Sequence, residues 1–482
     1  MYRPAHSPTP ADAAGARPPD SLRVPPRRPA LLLALTACAC LFAVTVPSVA
    51  SAGGGAFVPG EVLVKYVPRT PPAAEAAVTQ LAGAADPIDI ASHTRVLHLM
   101  PGVSVAAALR RLRRRSDVAW AEPDYLAAQA GSFIPDDEGE PGGKAGGWQE
   151  LQWNFSGTFG VNAPEAWANL AADGAPGGAG VVVAVLDTGV AYANRGPFRR
   201  SPDFFPDTFV KGYDFVDRSP YPNDRNGHGT FVAATIAEAT DNHYGLTGLA
   251  YGARIMPVRV LDSQGEGDAS TIAEGVRFAV NHGARVINMS LEFSSSISAA
   301  DIPELIEAIH YAHRKGVLLV AAAGNEGRST IPYPARSRDV VAVGATTEHG
   351  CLANYSNDGP GITLVAPGGG PDASLPGDPN CHPEGTAGRD IYQVTIGATP
   401  RTFTIPTYYE GTSMAAPHVS ATAALIIASG VLGRRPTPAQ LTARLKATAR
   451  RLGGGGDEGL YGAGLLNAGA ATAPGGPGAP VG

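Results

Sequence analysis

The stretch VVVAVLDTGV (181–190) decides the fold: six apolar residues in a row end at an aspartate and a Thr-Gly turn. A strand with no polar alternation is covered on both faces, the situation of a central strand in a parallel sheet with helices on each side. Working outward, runs of the same kind recur at RIMPVRVLD (254–262), ARVINMSL (284–291), VLLVAAAG (317–324), VVAVGATT (340–347) and ITLVAPG (362–368). Segments with helical periodicity lie between or after them, at 271–282, 302–315 and 438–449. The alternation predicts an α/β fold over 150–470, a doubly wound, mainly parallel sheet flanked by helices. Its chemistry is then expected at the carboxyl ends of the strands.

Upstream the pattern differs. Strand-like FVPGEVLVKY (57–66), a helical stretch at 73–82, a second alternation at 94–100, a helical stretch at 105–114 and a closing strand at 118–125 describe a small α+β unit over 53–130. Arg110, Arg111, Arg113, Arg114 and Arg115 cluster on its second helix, which reads as a solvated face rather than an anion site. Segment 131–149 begins rich in Gly, Pro, Asp and Glu without periodicity and reads as a linker open to proteolysis. At the other end, the Gly, Pro and Ala of 471–482 read as a flexible tail.

At the amino terminus an apolar run (30–46) follows Arg27 and Arg28 and precedes Ala50-Ser51-Ala52, the pattern of a signal peptide over 1–52 and hence of a secreted protein. Leu35-Thr36-Ala37-Cys38 also has the form of a lipobox, which leaves a lipid anchor on Cys38 as the alternative. No other run reaches the 18 or so apolar residues that a membrane-spanning helix needs. Export permits a disulfide between Cys351 and Cys381; two buried free thiols are the other reading. With 44% hydrophobic and 17% charged residues the chain is not of the disordered class. Its length of 482 residues suits two or three folding units, and a net charge of −6 offers nothing to nucleic acid.

Three residues carry the chemistry. Asp187 ends the first apolar run, His228 lies in NGHGTFVAATIAEA, and Ser413 lies where EGTSMAAPHVSATAALIIAS turns into a long, nearly all-apolar helix. Singly, each has a plain structural reading: a strand-end carboxylate, a core histidine, a helix cap. Together they meet one chemical need, because a serine hydroxyl is a poor nucleophile unless a histidine takes its proton and a carboxylate orients that histidine. The chain order Asp, His, Ser is that of subtilisin. DTG around Asp187, NGHGT around His228 and GTSMAAPHV around Ser413 resemble the three active-site motifs of the subtilisin-like serine peptidases, the subtilases.

The resemblance extends along most of the chain and implies a secreted serine endopeptidase made as a self-processing zymogen. VAAAGNEG (320–327) resembles the family's oxyanion segment, which assigns Asn325 as a donor beside the Ser413 N–H. The 57–66 and 118–125 strands resemble those of an inhibitory propeptide, which implies a processing site within 131–149. NAPEAW (162–167) and YGAGLLNAGAA (461–471) resemble the entry to and exit from the catalytic domain. The walls of the pocket for the residue before the scissile bond are implied at Ser290, Leu291 and Glu292 and at Ala322, Ala323 and Gly324. Gly265 and Gly267 mark the strand that pairs with substrate backbone. Two departures stand out: Phe231 replaces a histidine, and Glu292 replaces a glycine and puts the usual apolar preference in doubt. Glu326 at the rim reads as a solvated surface residue or as a further attraction for basic side chains.

A structural calcium is implied, with Asp203, Asp241 and Asn242 as candidate oxygen donors around DNHYGLTG (241–248), against the plain reading of a polar turn. No CxxC or HExxH motif points to a catalytic metal. Roughly forty residues between VAPG (365–368) and GTS (411–413) form an insertion that contains Cys381, and a disulfide to Cys351 would hold it beside the cleft. The partners implied are protein or peptide substrates and the chain's own propeptide, with the enzyme a monomer. The competing readings are a catalytically idle binding protein that keeps the fold, which would have no need of all four chemical positions, and an esterase on small substrates, which would have no need of a propeptide.

Overall fold

The computed structural model describes residues 50–51, 56–100, 102–125, 133–453 and 458–475, in two compact units that divide between Ala128 and Gln129. The signal peptide expected over 1–52, with Cys38, lies outside the described residues except for Ala50–Ser51. Among the described residues no helix is long and apolar enough to cross a membrane.

In the first unit the antiparallel strand Ala56–Tyr66 lies between Thr94–Leu99 and Val118–Tyr125. Two helices, Pro72–Ala82 and Val105–Leu112, pack on the sheet. The first begins with proline and ends at a left-handed Gly83; the second is capped by the Ser104 hydroxyl, which accepts from the Ala107 N–H at 3.3 Å. Val62, Val64, Val78, Leu97, Ala108 and Leu112 form its core. Arg110, Arg111, Arg113 and Arg114 are exposed, as a solvated helix face requires. An edge strand, Ala84–Ala91, was not anticipated from the sequence. Asp86, Pro87 and Asp89 break any apolar alternation there, and an edge position tolerates proline because one side of the strand needs no ladder donor.

The second unit is built on seven strands: β1 (Val182–Asp187), β2 (Tyr213–Asp214), β3 (Arg254–Arg259), β4 (Val286–Met289), β5 (Leu318–Ala322), β6 (Val340–Thr346) and β7 (Leu364–Pro367). All neighbours are parallel, in the order β7-β6-β5-β4-β1-β3-β2. Its main helices are α1 (Ala163–Ala172), α2 (His228–Ala237), α3 (Ala269–Asn281), α4 (Pro303–Arg314), α5 (Thr412–Ser429), α6 (Pro438–Thr448) and α7 (Ala468–Thr472). Along β1 alternate residues serve opposite cores. Val183 and Val185 pack with Trp167 of α1, α2 and α5, whereas Ala184 and Leu186 pack with α3 and α4. This two-sided burial, about 1.5–3 kcal/mol for each fully buried valine or leucine side chain, is why the strands read as unbroken apolar runs. The two-residue edge strand β2 carries no pattern that could announce it.

Two boundaries differ from expectation. The segment read as a linker is, from Phe133 onward, part of the second unit: Phe133 packs edge-on to Trp167, the Trp148 indole donates to the Pro135 carbonyl at 2.9 Å, and buried Asp137 accepts from the Asp241 and Asn242 N–H groups. Polarity there marks hydrogen-bonding to a turn rather than freedom. The tail also begins later than Ala471, since Ala471 and Thr472 are buried in α7 and the Arg444 guanidinium donates to the Ala470, Ala471 and Ala473 carbonyls.

Candidate active site

β1 ends at Asp187, which places its carboxylate at the carboxyl edge of the sheet, fully buried. One oxygen, Oδ1, accepts from the Thr188 N–H at 2.8 Å and lies 2.8 Å from His228 Nδ1. His228 is the first residue of α2, and its side chain keeps 26% of its surface exposed. The approach is close because Gly229 has no side chain: a Cβ there would lie 2.2 Å from the Gly189 carbonyl oxygen and 3.0 Å from Asp187 Oδ1. Burial by itself would lower the His228 pKa, but the charge and hydrogen bond of Asp187, aided by Asp224, outweigh it and hold the value above that of an ordinary histidine.

The loop that delivers His228 is tied by a residue the motif reading passed over. Buried Asp224 accepts from the Thr188 hydroxyl, from the Asn226 and Gly227 N–H groups, and from both the N–H and the hydroxyl of Thr230. An aspartate four residues before the histidine was the only sequence signal.

Ser413 is the second residue of α5, where no earlier helical carbonyl is available to its N–H. Its hydroxyl donates to the Ser290 carbonyl at 3.3 Å, a long hydrogen bond, rather than to His228. Four residues on, Pro417 lies inside the helix and has no N–H to give back to the Ser413 carbonyl. The Ser290 hydroxyl fills that role at 2.8 Å, and it in turn accepts from the Asn288 side-chain amide, whose Oδ1 takes the Ser420 hydroxyl. Nearby, His418 is fully buried between the Asn154 amide and the Met414 carbonyl, and burial pushes its pKa down to about 4, so it stays neutral. Asn325 follows β5, and its Oδ1 accepts from the N–H and hydroxyl of Thr412, which leaves the Nδ2 amide to the cleft that Asn325 lines.

His228, Ser413, Asn325, Ser290, Leu291, Glu292, Gly265, Gly267 and Ala322 line one cleft of about 660 Å³. A larger cavity of about 1150 Å³ lies at the opposite, amino ends of β5 and β6, around Leu318 and Val340, and holds none of these residues. Ala323 and Gly324 do not line the cleft. Strand alternation turns Ala323 into the α3/α4 core, and Gly324 lies buried beneath Glu292 at φ +102°, where a Cβ would come within 2.3 Å of Glu292 Oε2. Burial, then the adjacent Glu326 carboxylate, raises Glu292 to about 7.

The three expected calcium donors are brought close but do not form a cage. Asp203 Oδ1 accepts from the Asn242 amide and Oδ2 from the Leu246 N–H, while Asn242 Oδ1 takes the Tyr244 N–H and Asp241 Oδ1 the Asp136 N–H. Asp241 and Asn242 thus use these oxygens in hydrogen bonds to neighbouring backbone. Among the described residues no group of three acidic, histidine or cysteine side chains is arranged to hold a metal. The part that suits a hard cation is one the sequence reading missed: fully buried Glu238 is close enough to Asp203 for their charges to interact, its Oε2 has no hydrogen-bond partner, and burial raises both carboxyls well above the usual range.

Cys351 and Cys381 form a disulfide that holds the insertion. The insertion contributes no residue to the cleft lining. It braces α2 instead: Tyr409 stacks on Phe231 at 4.3 Å between centroids, the Thr395 hydroxyl donates to the Gly227 carbonyl, and the Val394 N–H donates to Glu238. The histidine-to-phenylalanine departure at 231 thus has its partner within the insertion.

Comparison with known proteins agrees with this geometry. The subtilase family matches residues 178–464, and the fervidolysin N-terminal prodomain matches 44–124. The chain is 34% identical over 376 residues to a thermophilic serine proteinase of Bacillus sp. (strain AK1), covering 78% of this chain and 80% of that protein. To subtilisin BL of Lederbergia lenta it is 39% identical over 302 residues, covering 61% and 91%. A solved structure of proteases from Pseudoalteromonas arctica PAMC 21717 matches with a TM-score of 0.55 at 30% identity, covering 70% of this chain and 99% of that one.

Proposed function

The chain belongs to the subtilase family and is a subtilisin-like serine endopeptidase with a prodomain, and from that premise we propose how its residues perform the reaction. Asp187 holds the His228 imidazole in the tautomer that leaves Nε2 free. The Ser413 hydroxyl turns from the Ser290 carbonyl toward Nε2, gives up its proton and attacks the scissile carbonyl. The oxyanion that forms takes hydrogen bonds from the Asn325 amide and the Ser413 N–H. His228 then protonates the leaving amine, and water, activated by the same imidazole, releases the acyl group. Substrate backbone pairs along Gly265 and Gly267 on one side and 290–292 on the other. The observation that carries this reading is the 2.8 Å Asp187–His228 hydrogen bond at a cleft shared by Ser413 and Asn325.

We place the processing cut before Phe133, because from that residue the chain is packed on the catalytic unit. The protein is read as secreted, monomeric and inactive until cut. Intact-mass measurement of the full-length chain and its Ser413→Ala variant tests this: the wild type is expected to shorten to a product beginning near 126–133, while the variant stays whole. Equal trimming of both assigns the cut to another protease, and two intact chains that fail to react with a serine-directed fluorophosphonate return the protein to a binding role. For calcium, the reading supported by the Asp203–Glu238 pair is a stabilising ion. Chelation is expected to lower Tm and Asp203→Asn to remove the difference, whereas a Tm indifferent to chelator ends that reading.

A further inference from the structure

On the premise that the cleft is that of an endopeptidase, we infer that Glu292 and Glu326 form a paired-carboxylate receptor that selects arginine or lysine immediately before the scissile bond. Glu292 lines the cleft together with Ser413 and Asn325, and the proposed substrate pairing along 290–292 puts it on the wall beside that side chain. Its Oε2 is buried and has no hydrogen-bond partner. The amide beside it cannot serve, since Asn357 Nδ2 commits its two hydrogens to the Ala323 carbonyl and to Glu326 Oε2. Neither Glu292 nor Glu326 makes an ion pair among the described residues, and the charge acting most strongly on Glu292 is the other carboxylate.

Gly324 makes the pairing possible. Asn357 Nδ2, Glu292 Oε2 and Glu326 Oε2 all lie within 3.1 Å of where a Cβ on residue 324 would stand, so any larger residue would separate them. Asn357 fixes the arrangement from below, with its N–H on the Gly324 carbonyl at 2.9 Å and its Oδ1 accepting from the Glu326 and Arg328 N–H groups. Of the two adjacent carboxylates, Glu326 takes the Asn357 amide while Glu292 Oε2 has neither donor nor cation, and a buried acceptor left unpaired is unfavourable. An incoming guanidinium supplies several N–H groups in a fork that can meet both carboxylates, and an ammonium supplies three. An apolar side chain supplies none and leaves Oε2 unpaired, while an acidic one adds a third like charge. The other titratable groups facing this space are Glu266 on the opposite wall and His228 across the cleft.

The test uses matured enzyme, counted by fluorophosphonate titration, and peptide p-nitroanilides that differ only in the residue before the cut: arginine, lysine, norleucine, phenylalanine or glutamate. At pH 8, kcat/KM for arginine and lysine is expected to exceed that for norleucine by about tenfold or more, the worth of one hydrogen bond to a charged group. In Glu292→Gln that ratio is expected to collapse toward unity. Should the variant fail to mature, wild-type inhibition by benzamidine, expected to be at least several-fold tighter than by neutral benzamide, takes its place. Norleucine or phenylalanine turned over as fast as arginine overturns the receptor and leaves the endopeptidase reading intact. A full arginine preference in Glu292→Gln overturns the assignment to this residue. Absence of both labelling and hydrolysis overturns the endopeptidase reading and the receptor with it.

Discussion

Asn325 is held by its oxygen, through two hydrogen bonds from Thr412, so its nitrogen is presented in one orientation before any substrate arrives. Such preorganised donors cost no rearrangement when charge develops, which is why they count for more than their number suggests. In subtilisin the loss of one such donor lowers kcat by about 10²–10³, and Asn325→Ala is expected to show a loss of the same order with little change in KM, measured by steady-state kinetics. In the proposed mechanism His228 must be neutral to act as base. Since Asp187 holds its pKa above the ordinary histidine value of about 6.5, the acid limb of kcat/KM is expected to have its midpoint on the alkaline side of that value. A midpoint below it in the pH–rate profile would contradict the assigned coupling. At this scale the three positions proposed for catalysis could be named from the sequence, because each sits in a short motif whose glycines and small residues are required locally. Asp224, Glu238 and the bond of the Ser290 hydroxyl to the Ser413 carbonyl were not legible there, because what a polar side chain binds depends on which distant segment folds against it.

At the scale of elements, α5 shows how a local defect becomes a connection. Pro417 leaves the Ser413 carbonyl without its helical partner, and the Ser290 hydroxyl just after β4 takes the place, linking α5 to the cleft wall that Ser290 lines. Ser290→Ala leaves that carbonyl unpaired and is expected to lower stability by about 1–3 kcal/mol. The measurement is urea unfolding in a Ser413→Ala background, which avoids self-digestion. A change below a few tenths of a kcal/mol would show that water serves equally well. The sequence displayed the proline but not its partner, which lies more than a hundred residues away. Helices and central strands were readable for the opposite reason: their hydrophobic periods are set by burial on two faces, whereas the edge strands Ala84–Ala91 and β2 are short or interrupted and carry no period.

For the whole molecule, the insertion between β7 and α5 is a brace on α2, closed by a disulfide that spans 30 residues of sequence. In the chain-entropy account a loop of that length corresponds to about 3–4 kcal/mol. Reduction of the Ser413→Ala protein is accordingly expected to release two thiols and to lower Tm by several degrees; release of thiols with no change in Tm would mean the brace holds without its crosslink. The amino-acid sequence by itself determined the doubly wound sheet, the subtilase family and the presence of a separate amino-terminal unit, and it named the residues proposed for catalysis, because these rest on local periodicity and on motifs contained within a few residues. Only the tertiary structure decided that 133–147 packs on the catalytic unit, that Ala323 faces the core, that Phe231 answers Tyr409, and that Glu292 meets Glu326 over Gly324. Those are contacts between segments far apart in sequence, and the burial and hydrogen-bonding that give them meaning exist only once the chain has folded.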